Sequence, residues 1–255
     1  TVSCAGRAAA AEPGDERPVR LGPPRPNAAM PRIVPARPDE HDRPWQAFLA
    51  LVGDHAPPPG GTIRVPYNPA AHLDDDDTLM ENPPAVGDQL ATLRARRADA
   101  ALAVNPITFA SPYPRARRDD RLAGAFAAAW AVRVIKQLAL TGASEAGFAD
   151  LSGPASAVLR AMAPLAGLPA MHDNAPVHAP VDVLCVPTAG GRAIWAINKT
   201  RAPRRVLLAL DGPVRAVRCR RVDAAADAIA HWPAERLAPT DGILAVPLGP
   251  LDTVL

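Results

Sequence analysis

One short stretch of the chain concentrates side chains that can move protons. Between Asn68 and Asn82 the sequence reads "NPAAHLDDDDTLMEN", with His72, four consecutive aspartates (Asp74 to Asp77) and Glu81. Imidazole titrates near neutral pH and a carboxylate can act as general base, so the composition suits hydrolytic acid–base chemistry. A divalent cation is the other partner such a cluster suggests. Four adjacent carboxylates cannot all face one ion, however, and no second histidine stands at ligand spacing, so no metal site is expected. Further polar groups recur where apolar runs stop: Asn105 and Thr108, then Asp119, Asp120 and Arg121, then Asp150 and Ser152. Several have a plainer role open to them. Aspartates ahead of a helical turn complement its dipole, and Asp119 and Asp120 can cap the helix that follows them.

These groups are positioned by a regular alternation of elements. "TIRVPY" reads as a short buried strand stopped by Asn68-Pro69, and "ADAALAVNPITF" as a second, stopped by Asn105-Pro106. Pro84 to Arg97 reads as a helix with proline in its first turn. Asp119 to Thr141 reads as a longer one, with Leu122, Phe126, Trp130, Val134 and Leu138 at helical spacing and Gly142 as its stop. "AGFADLSG" supplies a third strand and Ser156–Gly167 another helix. The order β-α-β-α-β-α favours a parallel sheet, and in parallel α/β folds chemistry gathers at the carboxyl edge. Polar groups from three strand ends should therefore converge.

The flanks differ in texture. Residues 1–60 are studded with proline, which removes backbone donors, and read as an irregular segment with one short helix at Arg43–Val52. Residues 61–170 hold the β/α units. From 178 to 255 the runs "VDVLCVPT", "RAIWAINKT", "RRVLLALD", "AVRCRRV" and "ILAVPLG", separated by turn residues, predict a small antiparallel β-sandwich.

Composition narrows the function classes. Lys and Arg number 28 against 26 Asp and Glu, and no basic stripe with interleaved aromatics appears, so a nucleic-acid partner is not expected. No apolar run approaches the roughly 20 residues of a membrane span, and a cytoplasmic protein is the expectation. The three cysteines, Cys4, Cys185 and Cys219, lack paired spacing, which argues against a zinc site or a disulfide framework and leaves a 185–219 pair open.

The motif in the first stretch resembles N-P-x-x-H-x-x-D-D-x-[ST]-L-x-E of the D-apionate lactonase family, matching at Asn68, Pro69, His72, Asp75, Asp76, Thr78, Leu79 and Glu81. "VNPITF" looks like that family's next strand end and "DDRLAGAFAAAW" like its D-x-R segment. "GFADLSG" takes the place of a later strand end, with Asp150 where glutamate is expected. The resemblance implies a (β/α)8 barrel related to glycoside hydrolases with a C-terminal β domain. A full barrel needs roughly 200–250 residues, so the chain reads as a partial barrel of three to four β/α units, resembling the C-terminal part of the family. It implies hydrolysis of a sugar-acid lactone without a cofactor. Glu81 or Asp150 would be the base and His72 the acid or carbonyl-polarising donor. Arg121 would steady an anion, and Asn68, Asn105, Asp75 and Asp76 would contact substrate. The partners implied are a small carbohydrate-derived substrate and the missing N-terminal half of the barrel. A glycoside hydrolase of the same superfamily, or a non-catalytic carbohydrate-binding or assembly remnant, are the alternatives.

Overall fold

The computed structural model describes residues 17–36, 60–71, 75–109, 120–149, 151–176, 179–210, 214, 217–222, 233–250 and 253–255. Strands β1 (Val19–Ala29) and β2 (Arg32–Pro35) come first. Strand β3 (Thr62–Tyr67), a short helix α1 (Asp76–Glu81) and helix α2 (Pro83–Arg96) follow. Next come β4 (Ala101–Ile107), α3 (Ala125–Leu140), β5 (Glu145–Phe148) and α4 (Gly153–Met162). The remainder is β: β6 (Pro169–Asp173), β7 (Val181–Thr188), β8 (Gly191–Asn198) and β9 (Arg204–Ala209). It ends with β10 (Val217–Arg220), β11 (Ala234–Leu237), β12 (Ile243–Leu248) and β13 (Thr253–Val254).

The β/α units build a four-stranded sheet in the order β2-β5-β4-β3, and every pairing in it is parallel. Val65, Val104, Ala146 and Ile33 share one row across it. That row belongs to the main core, together with Val86 and Leu90 of α2 and Trp130, Val134 and Leu138 of α3. The helix predicted from Leu122, Phe126, Trp130, Val134 and Leu138 buries all five side chains. Its first turn is a separate 3₁₀ turn, Asp120–Ala123, because Gly124 takes an extended conformation ahead of α3. Gly142, in the left-handed region at φ 72°, closes its other end; Ala143 N–H donates to the Leu138 carbonyl.

The place of β2 is informative. It lies early in the chain yet pairs with β5, the last strand of the β/α series. In a (β/α)8 barrel the first and last strands are neighbours. The order β2-β5-β4-β3 therefore has the form of a barrel seam, with the first stave against the last. In an eight-stranded barrel the other staves stand between those two edges of the sheet, β2 and β3. The sequence reading expects the missing units upstream of the chain, as an N-terminal half of the barrel.

Strands β1 and β2 also depart from the irregular segment expected for residues 1–60. Prolines fit within β1 because its pairing with β6 is interrupted by two register shifts, between Leu21 and Pro24 and between Pro24 and Ala29. The short helix expected at 43–52 lies outside the described residues.

The β domain is a sandwich sharing one strand between its layers. The seven-stranded order β12-β9-β1-β6-β7-β8-β13 is antiparallel except at β1-β9. Strand β7 alternates cleanly. Leu184 and Val186 join the barrel core, whereas Val183 and Cys185 join a second core with Val206, Leu208, Leu244 and Val246. Both faces of β7 are thus covered, which is why "VDVLCV" is a continuous apolar run around one aspartate. Cys185 and Cys219 are buried and are not joined by a disulfide. Burial pushes the Cys185 thiol up to about 11, against a small opposing effect of Arg192, so this sulfur is protonated and inert near neutral pH.

Candidate active site

The carboxyl ends of β3, β4 and β5 meet at one edge. Thr108 N–H donates to the Tyr67 carbonyl and Ala149 N–H to the Ile107 carbonyl, each at 2.9 Å. Asn68, Thr108 and Ala149 therefore leave the sheet side by side. His72 and Asp150 follow two of these exits but lie outside the described residues, as do Asp74 and Asp119.

The acidic stretch after β3 has partners of its own. Asp75 caps α1: its carboxylate accepts from Thr78 N–H at 2.9 Å, and this bond holds its pKa below the usual range. Both oxygens of Asp76 are occupied. Oδ1 accepts from Arg121 Nη1 and Oδ2 from Arg201 Nη2, each at 2.8 Å. Arg121 lies over the rings of Phe109 and Phe126, 5.4 and 5.7 Å from their centroids. Arg201 belongs to the β8–β9 turn, so Asp76 ties the barrel to the β domain. The sequence reading gave Asp76 and Arg121 separate contacts with substrate; in the structure they grip each other. Leu79 and Met80 are fully buried beneath them. Glu81, at the end of α1, is exposed and close enough to Lys199 to counter the fall in that amine's pKa.

Asn105 is one of two buried polar side chains on the described strands of this sheet, with Glu145. Between rows 104 and 107 of β4 there is one residue more than in β3 or β5, a bulge of the kind that re-aims a side chain. The Asn105-Pro106 bond within it is cis. The amide of Asn105 crosses to β5, where its Nδ2 lies 3.5 Å from Glu145 Oε1. Glu145 also accepts from Arg32 Nη2 at 2.8 Å. Arg64, Ala103, Glu145 and Arg32 form one row, so a polar layer runs across the sheet face opposite the helices. Burial alone would raise the Glu145 carboxyl, but bonds from Arg32 and Asn105 with the charge of Arg64 bring it below the usual range. Gly147 makes room for this amide: a Cβ there would come within 2.3–2.5 Å of the Asn105 side chain. Gly147→Ala should therefore destabilise the protein by about 1–3 kcal/mol. Adding Asn105→Ala should recover part of that loss in a denaturant double-mutant cycle; strict additivity would show that the two positions do not clash.

A second polar cluster escaped the sequence reading. On α3, Arg133 and Lys136 are buried against the β domain. Arg133 Nε donates to Asp182 Oδ2 at 2.9 Å, and Lys136 Nζ to Asp173 Oδ2 at 2.7 Å and to Asp182 Oδ1. The available signal was "AWAVRVIKQLAL", a helix apolar all round, in which any charge must be buried and paired. Among the described residues no group of three or more His, Cys, Asp or Glu could hold a metal ion. No described helix is long and apolar enough to cross a membrane.

A parallel sheet with helices on one face and a sandwich that takes up the preceding strand define a partial (β/α)8 barrel with a β domain. Residues 62–185 match the family model described as D-apionate lactonase, TIM barrel domain, the same family that the motif resembles. A search of curated proteins finds no match. Among solved structures the chain is similar to CelM2, a bifunctional glucanase-xylanase protein from a metagenome library, at 9% identity and TM-score 0.56 over 76% of this chain and 42% of that one. It is similar to the alpha-L-arabinofuranosidase from Thermotoga maritima, at 12% identity and TM-score 0.53 over 76% and 51%. It is also similar to a 4-O-alpha-L-rhamnosyl-beta-D-glucuronidase from Fusarium oxysporum, at 12% identity and TM-score 0.51 over 75% and 52%. At these identities the likeness is one of fold. The chain spans about half the length of these structures.

Proposed function

We propose that the chain carries part of the barrel of a sugar-acid lactone hydrolase. The observation that supports this most is the family match over 62–185, whose stretch after β3 starts from the edge where three parallel strands end. Ring opening requires a base to activate water, a donor to the developing oxyanion and a proton for the leaving alkoxide. Glu81 or Asp150 serves as base and His72 as donor, with Asn68 and Asn105 contacting the hydroxyl groups of substrate. Asp75, Asp76 and Arg121 act from behind: a helix cap and an inter-domain ion pair hold α1, and with it Glu81, at the edge. A glycoside hydrolase is the second reading, favoured by the fold of the solved structures.

The test uses a protein in which the barrel is complete, assayed on sugar-acid lactones and on aryl glycosides. Glu81→Gln keeps the shape of the side chain and removes its charge. It should cut lactone turnover by about 100-fold or more, the range for loss of a general base, while leaving thermal unfolding unchanged. Full turnover in the variant removes Glu81 from the site, and hydrolysis of the glycosides alone favours the second reading.

A further inference from the structure

A cleft of about 330 Å³ opens between α2, α3 and the β6–β7 edge of the β domain. Its volume is at the small end of ligand sites. Three buried cations line it, Arg133, Lys136 and Lys199, against two largely buried aspartates, Asp173 and Asp182. The aspartates are already well supplied with donors. Asp173 accepts from Lys136 and from the N–H groups of Ala175 and Val183, and Asp182 from Arg133, Lys136 and Val183 N–H. On the cationic side demand is left over: Arg133 is 1% exposed, and its Nη1 is buried without an acceptor. A buried guanidinium donor in that position calls for an anionic oxygen.

We propose that this cleft binds a small hydroxylated monocarboxylate, its carboxylate reaching in toward Arg133 and Lys199. The walls set the rest of the chemistry. Asp88, exposed at the rim, repels a second negative charge and accepts from a hydroxyl, and Gln137 and Thr141 offer further polar contacts. Phosphate and other multiply charged anions are therefore disfavoured. Gly87 keeps the wall open: a Cβ there would meet Gln137 Oε1 at 3.3 Å and the Thr141 methyl at 3.6 Å. None of the candidate active-site residues lines the cleft, although Lys199 on its wall is near enough to Glu81 to feel that carboxylate's charge.

Titration calorimetry of the full chain tests it with three probes: sodium gluconate, propionate and phosphate. Gluconate should bind saturably, one per chain, with Kd at or below about 1 mM, and propionate and phosphate at least about tenfold more weakly. Gly87→Met, which fills the cleft without removing a charge partner, and Lys199→Met, which removes one cation, should each weaken gluconate at least about tenfold. Far-UV circular dichroism checks that both variants are folded. Should Gly87→Met not fold, amide chemical shifts of the unaltered chain carry the same information, since gluconate should move residues of α2 and α3 around the cleft. No saturable binding of gluconate, phosphate binding as tightly as gluconate, undiminished binding in a folded variant, or shift changes confined elsewhere would each overturn the proposal.

Discussion

Asp182→Ala should destabilise the protein by about 3–5 kcal/mol, the cost of leaving buried charge without its partner. The substitution removes the one carboxylate that Arg133 and Lys136 share. Both cations sit on α3 and are almost fully buried, so the charge left behind is poorly solvated. Because β7 carries Asp182 and α3 carries the cations, the damage falls on the seam between barrel and β domain. A urea midpoint shift equivalent to less than about 1 kcal/mol, the size of an ordinary surface change, would show that the network is ornamental.

The same network sets a dependence on pH. Burial alone would raise the Asp182 carboxyl, but Lys136 and Arg133 together bring it below its ordinary value. A folded-state pKa below the unfolded one means that the unfolded chain binds the proton more readily. The contribution of Asp182 is thus complete above the unfolded value of about 4 and is lost as pH falls through the lower folded value. Lys136 has the opposite sign. Burial would lower the amine, yet Asp182 and Asp173 raise it. Its contribution is complete below the unfolded value of about 10.4 and is lost as pH climbs through the higher folded one. The unaltered protein should lose stability on both flanks, and Asp182→Ala should flatten the acid limb.

The second large effect concerns where the barrel is completed. On the lactonase reading proposed above, grafting four β/α units from a full-length member of the matched family between Ala36 and Gly60 should raise lactone kcat/KM by on the order of 100-fold over the same units fused ahead of Thr1. The reason is geometric. Strands β2 and β3 are the two edges of the described sheet, so only units joined between them can close the wall, exclude water and orient a substrate. Equal activity from the two fusions would mean that β2 is not the first stave of the barrel.

Much of this architecture is legible in the sequence because the β/α units are local. "TIRVPY" and "ALAVNPI" are apolar runs with Asn-Pro at or near their ends, and α3 repeats its apolar residues at helical spacing. What resisted reading depends on distant partners. The strand "VRLGPPRPNAA" is recognisable only once β6 and β9 are known, since nothing local pairs it. The candidate site was half legible for a related reason. Residue types locate a charged stretch, but only in the folded chain is Asp75 turned into a cap and Asp76 divided between Arg121 and Arg201. Likewise, Arg133 and Lys136 name no partner until β7 is packed against α3.

The seam also fixes an order of events during synthesis. Arg32 pairs with Glu145, and Val19 with Leu208, so neither N-terminal strand can find its place until most of the chain exists. Contacts this remote are made late, because closing so long a loop costs entropy before any pairing repays it. Meanwhile a strand waiting for its partner can pair with the wrong one, or with another chain. Proline, which cannot donate to a β-ladder, guards against that. The prolines at 23, 24, 26, 31 and 35, which make this segment look unstructured on paper, protect it while it waits.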